Sequence, residues 1–191
     1  MFDLFEGMKR GNKRQRDAYT TIKELCIFDE LSIYNPMLCG TIPIGIDLDN
    51  SDLDIVMDVK DLRLFEKKLD ALYGDKPGFT MKRTIIRGRE VVKANFLSNN
   101  FELELFGQDQ STYFQNAYLH MIIEHELLKD NPTLKGKVID LKKQGYKTEP
   151  AFCKLLGIAG DPYEGLVQYG IKERIIKPEF LNFHRIDNYY K

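Results

Sequence analysis

Apolar and polar positions alternate with different periods along the chain. In residues 13–30 the spacing is helical, with Ala18, Ile22, Leu25 and Cys26 on one face. Residues 33–39 are apolar and extended, interrupted by Asn35-Pro36. The run from Asp52 to Val59 predicts a strand, although two acids open it. Asp61 to Tyr73 returns to the helical period, with Leu62, Leu64, Phe65, Leu69 and Leu72 apolar and Gly74 as the stop. Three extended pieces follow, 79–86, 91–97 and 101–106. Arg87-Gly88-Arg89 and Ser98-Asn99-Asn100 separate them as turns, so the spacing predicts an antiparallel meander. Beyond Gly107 the pattern is helical over 112–129, 133–143, 149–156 and 162–174, with Pro132, Pro150 and Pro162 where first turns are expected. The expected class is α+β, with an α/β lobe over 1–109 and a helical lobe over 110–191. The break near Gly107 is too short for a flexible linker, so the lobes should pack together.

Composition narrows the partners. A net charge of −1 over 191 residues supplies no bulk attraction to long nucleic acid or to an anionic membrane surface. No apolar run approaches the length of a membrane span. The opening MFDLFEGMKR lacks the charged-then-apolar order of a signal peptide. Cys26, Cys39 and Cys153 are odd in number and far apart. That suits reduced thiols in a cytoplasm rather than a disulfide frame or a zinc site.

The candidate chemistry lies in GTIPIGIDLDNSDLD, residues 40–54. Along a strand, residues two apart share a face, so Asp52 and Asp54 stand side by side while Leu53 and Ile55 point into a core. Two adjacent carboxylates repel and are costly to desolvate; an exposed edge strand or a shared cation relieves both problems. Oxygen-only ligation suits Mg²⁺ or Mn²⁺. Gly40-Thr41, with Gly45, offers close backbone approach and a hydroxyl for a phosphate, against the alternative of a plain turn. Ser51 stands where it can cap or orient Asp52. Glu102 and Glu104 share one face of a second acidic strand; if that strand lies beside the first, three carboxylates converge as in a site of the two-metal type.

This pattern resembles the nucleotidyltransferase superfamily, which includes DNA polymerase β and the kanamycin and minimal nucleotidyltransferases. Cys39-Gly40-Thr41 matches its apolar-Gly-Ser/Thr element, and Ser51-Asp52-Leu53-Asp54 matches its Ser-Asp-apolar-Asp ending. The blocks KTEPAF (147–152), GDPY (160–163), ELFGQ (104–108), QNAY (115–118) and His120 resemble an uncharacterised bacterial family of about this length grouped with nucleotidyltransferases. The resemblance implies a mixed or antiparallel sheet flanked by helices and followed by a helical lobe. It implies that Asp52, Asp54 and a third acid, Glu104 in preference to Glu102, hold Mg²⁺ or Mn²⁺, and that Gly40, Thr41 and Ser51 hold a nucleoside triphosphate such as ATP. It also exposes a departure: Ile42 stands where relatives often carry Arg.

Further cations and bases are candidates at lower rank. Lys82, Arg83, Arg87, Arg89 and Lys93 precede Glu104 on strands, where solvated roles are the more common. Lys147 precedes a helix. His120 and Glu124 share a helix face at i and i+4, which suits a structural or surface role more often than a base or acceptor-binding one. His125 and His184 are not read as ligands. The basic run Lys9, Arg10, Lys13, Arg14, Arg16 reads as solvated surface, with an RNA acceptor as the alternative. The expected activity is transfer of a nucleoside monophosphate to a hydroxyl of a small-molecule or protein acceptor. The alternatives are a nucleotide-binding module without turnover and a partner-binding protein such as a toxin regulator.

Overall fold

The structure is a computed structural model that describes residues 4–179; His184 lies outside the described residues. Eight helices and five strands follow in the order α1 (Leu4–Gly7), α2 (Lys13–Glu24), α3 (Ile27–Glu30), β1 (Met37–Cys39), β2 (Leu53–Asp58), α4 (Leu62–Tyr73), β3 (Thr80–Ile86), β4 (Arg89–Ser98), β5 (Phe101–Gln108), α5 (Asn116–Asp130), α6 (Leu134–Lys143), α7 (Thr148–Leu156) and α8 (Pro162–Lys172). The sheet order is β1-β2-β5-β4-β3. The expected meander β3-β4-β5 is antiparallel throughout, and β2 joins it by pairing parallel to β5.

The sheet is covered on both faces, and the strand period decides what each cover meets. Leu53, Ile55 and Met57 of β2, with Leu103 and Leu105 of β5, pack on one side with Ala18, Ile22, Phe65 and Leu69 of α2 and α4. Burial of the three β2 side chains contributes on the order of 5–9 kcal/mol, which holds the strand even though its other face carries acids. Gly107 is obligatory in this layer: a Cβ there would lie 2.4 Å from Phe65 Cε1. Cys39, Val56 and Phe106 face the other way and meet α5, α6, α7 and α8 around Leu119, Ile123, Val138, Phe152 and Leu166. Ile44 and Ile46 of the β1–β2 loop enter this second cluster too, so the helical segment packs on the loop as well as on the sheet.

Several expectations need correction. The helix over 13–30 is broken, because Cys26 takes a left-handed conformation with φ 52° and α3 restarts after it. Cys26 is exposed, off the apolar face; Cys39 and Cys153 are buried. The extended stretch over 33–39 contains a 3-10 turn at Ser32–Tyr34, and only Met37–Cys39 forms a strand. Leu64 faces solvent at 59 % exposure, because it lies off the buried side of α4. No helix among the described residues is long and apolar enough to cross a membrane.

Candidate functional site

Register brings three acids together. Asp54 of β2 is level with Glu104 of β5 across the parallel pair, and with Cys39 of β1 on its other side. Asp52 precedes β2 by one residue. One oxygen from each of Asp52, Asp54 and Glu104 lies within 4.8 Å of the others. Glu102 shares their face but stays exposed and accepts from Asn95 Nδ2 at 3.2 Å, so the level pairing selects Glu104. All three acids are half-buried. Burial, then the charges of Asp52 and Glu104, push the Asp54 carboxyl up to about 7, with Lys93 opposing. Lys93 of β4 pairs with Glu104. The three carboxylates therefore form a negative cluster that one ammonium leaves undercompensated, and an oxygen-preferring divalent cation fits that donor set.

Gly40 follows Cys39 and lies directly against Asp54. Its φ is +81°, and a Cβ there would sit 2.5 Å from Asp54 Oδ2. The glycine thus makes room for the acid as well as shaping the loop. Thr41 donates its hydroxyl to Ser51 Oγ at 3.3 Å, and the Leu48 N–H donates to the same oxygen at 2.9 Å. Ser51 therefore ties the two ends of the 40–51 loop together; among the described residues its hydroxyl has no recorded bond to Asp52. The start of α2 braces the loop from outside. Asn12 and Gln15 form a capping box, and the spare Gln15 Nε2 hydrogens go to the Ile42 and Pro43 carbonyls at 3.0 and 3.1 Å.

The cations around this loop come from places the sequence pattern did not mark. Ile42 is fully buried in the first core, so its side chain does not occupy an anion site. Arg14 is no solvated surface residue: Nη2 donates to the Ser51 carbonyl at 2.8 Å and Nε lies 3.3 Å from Asp47. Lys142 of α6 donates to the Ile46 carbonyl at 2.8 Å. Burial pulls the Lys142 ammonium down, while the charges of Glu124, Asp47, Glu149 and Asp52 push it up. Lys135 Nζ would be 3.0 Å from a Cβ at Gly45. The only sequence signal was the density of lysines in 135–143, which on a helix normally means solvent.

The lower-ranked candidates divide. His120 is buried, with Nε2 3.0 Å from the Tyr163 carbonyl and Nδ1 3.3 Å from Glu149. Burial works against it, yet the hydrogen bond and charge of His120 hold the Glu149 carboxyl below its ordinary value. Glu124 is also buried, and burial followed by the charge of Glu149 pushes its carboxyl well up, against Lys142. Lys82 is exposed on β3 opposite Lys93, one strand farther from Glu104. Lys147 is exposed at the N-cap of α7. Neither lysine joins the acid cluster. Lys135, Lys142 and Glu149 were missed; Glu149 stood inside a block quoted for its family likeness alone.

A pocket of about 310 Å³ opens beside the cluster, bounded by Asp54 and Glu104 at one end and by α5, α7 and α8 along its wall. The fold has likenesses among solved structures. The chain is similar to the GLD-2/RNP-8 complex at 12% identity and TM-score 0.50, over 74% of this chain and 58% of that one. It is similar to the Cid1 poly(U) polymerase bound to MgGTP at 17% identity and TM-score 0.50, over 73% and 45% of the two chains. The same enzyme bound to Mg 3′-dATP gives 16% identity and TM-score 0.50, over 73% and 44%. The chain thus spans about half the length of these structures, and the likeness identifies its fold as that of the nucleotidyltransferases. No curated protein sequence matches it. A family model covers most of the chain, residues 20–169, and by that match the protein belongs to the family described as Domain of unknown function DUF4269.

Proposed function

We propose that this chain is a metal-dependent nucleotidyltransferase that moves a nucleoside monophosphate from a nucleoside triphosphate to a hydroxyl of a small-molecule or protein acceptor. The observation that carries the proposal is the meeting of Asp52, Asp54 and Glu104 within 4.8 Å beside a glycine that has no room for a Cβ. Asp52, Asp54 and Glu104 are the residues that would hold Mg²⁺ or Mn²⁺; such an ion, when bound, neutralises phosphate charge and lowers the pKa of a coordinated hydroxyl. Gly40, Thr41 and Ser51 hold the leaving phosphates, with Arg14 and Lys142 supplying positive charge to the loop. In the reaction the acceptor oxygen forms a bond to the α-phosphorus. The bond from that phosphorus to the bridging oxygen breaks, and pyrophosphate leaves with the electron pair. The hydroxyl proton passes to the Glu104 carboxylate. The first lobe, to about residue 109, carries the acids, and the helical lobe closes over the acceptor. The setting is cytoplasmic, where three free cysteines stay reduced.

Incubation with each α-labelled triphosphate, Mg²⁺ or Mn²⁺ and a cell extract should transfer label to an acceptor. Asp52→Ala with Asp54→Ala should abolish the transfer, and undiminished transfer in that double variant would end the proposal. The ion pair of Lys93 with Glu104 motivates a second reading, a triphosphate-binding protein without turnover, because the ammonium occupies a ligand of the metal site. Saturable binding of ATP with Mg²⁺ and no pyrophosphate release over many acceptors would favour it.

A further inference from the structure

The pocket beside the acids has two unlike ends. Asp54 and Glu104 stand at one; Arg87 and Arg89, flanking the tip of the β3–β4 hairpin, stand at the other, with Arg89 Nη1 already donating to the Asp109 carbonyl at 3.4 Å. Val91 is level with Gln108, so Arg89 lies about six residues beyond Glu104 along the strand direction, roughly 20 Å of backbone. The Arg87 backbone is held at φ 50° by the turn, and its guanidinium lies 6.0 Å from the Tyr163 ring centroid, at the outer limit of a cation–π contact. Among the described residues no carboxylate pairs with it. Phe106 and Tyr163 supply the apolar wall between the ends.

Gln115 adds an unsatisfied group to that wall. It is 2% exposed, and Nε2 donates to the carbonyls of Met57 and Gln110, both at 2.9 Å. Both partners only accept, so the amide orientation is set and Oε1 is the atom left over. That oxygen is buried without a partner. An orphaned buried acceptor costs about 1–3 kcal/mol and is a vacant place for a donor. Glu149, the acid of the far wall, is already met by His120, so the pocket does not select a cation there.

We propose that this pocket binds the acceptor as a small hydroxylated molecule that carries an anionic group, a phosphate or a carboxylate. The anion sits at Arg87, a hydroxyl donates to Gln115, and a second hydroxyl faces Glu104. The assignment as acceptor rests on the nucleotidyltransferase proposal. The volume, at the small end of ligand sites, suits one such molecule and not a nucleic-acid strand.

Ligand-observed NMR on the whole protein, without triphosphate or metal, tests the specificity. The probes are ribose 5-phosphate, glycerol 3-phosphate and gluconate, against ribose, glycerol and a 12-residue oligouridylate. At least one hydroxylated anion should bind, and its neutral counterpart should not. Arg87→Asn should weaken that binding tenfold or more, with asparagine keeping the left-handed turn. In protein-observed spectra of a ¹⁵N-labelled sample, the Gln115 side-chain amide resonance should shift on binding. Equal binding of neutral polyols, binding of the oligouridylate alone, or anion binding unchanged in Arg87→Asn would overturn the proposal. Because binding is read apart from turnover, arginine-dependent anion binding without any label transfer would instead overturn the nucleotidyltransferase reading.

Discussion

Gly40→Ala separates two roles of the loop glycine. The substitution carries two costs. An L-residue at φ +81° is strained by about 1–2 kcal/mol. The new Cβ would also stand 2.5 Å from Asp54 Oδ2, where ordinary contact begins at 3.4 Å, so the carboxylate must withdraw by 0.9 Å (3.4 − 2.5). Gly157, the C-cap of α7, provides the control: its φ is +68°, and a Cβ there meets nothing within 4 Å. Gly157→Ala should therefore lose only the strain energy. For a domain of this size, Gly157→Ala should unfold roughly 2–8 °C lower than wild type, and Gly40→Ala by at least as much. Only Gly40→Ala should damage the acid cluster, and a displacement near 1 Å at a reacting centre costs on the order of 100-fold in rate. Thermal unfolding and Mn²⁺ titration calorimetry, with label transfer as the third readout, would be measured on both variants. Equal Mn²⁺ affinity in Gly40→Ala and Gly157→Ala would refute the steric coupling between Gly40 and Asp54.

Other expectations follow from the charges. The folded Asp54 carboxyl is raised from 3.8 to about 7, so metal-free stability should fall as pH rises from about 4 through about 7, and Asp54→Asn should flatten that slope in thermal unfolding. Mn²⁺ must displace the same proton, so its affinity should climb with pH up to about 7 and then level; affinity already constant from pH 5 would contradict this. Glu124 is also raised, so Glu124→Gln should stay within about 1 kcal/mol of wild type at pH 6 and become the more stable protein as pH rises, as measured by urea unfolding. Removing the ammonium beside Glu104 with Lys93→Gln should tighten Mn²⁺ binding several-fold at pH 8, and weaker binding there would show that Lys93 supports the cluster rather than competing at it.

Much of the acid cluster's geometry was legible before folding because its signals are local. The two-residue strand period alone puts Asp52 and Asp54 on one face with Leu53 and Ile55 opposed, and the half-buried Asp54 and Glu104 each stand between two buried neighbours, Leu53 and Ile55 in β2 and Leu103 and Leu105 in β5. The choice between Glu102 and Glu104 was not local, since both satisfy the same period. Nor could the chain near Ile42 reveal that positive charge reaches its loop from Arg14, Lys135 and Lys142. Helix periodicity marked His120 and Glu124 as neighbours, but not that Glu149 from another helix would meet His120.

The sequence by itself determined the strands and most helices, the acid pair, and the glycine-hydroxyl turn, because side-chain direction and backbone preference are properties of short segments. Tertiary structure decided the third acid, the cations and the pocket. Pairing β2 with β5 joins residues 50 positions apart, and its register depends on how both covering layers bury the opposite faces of the sheet.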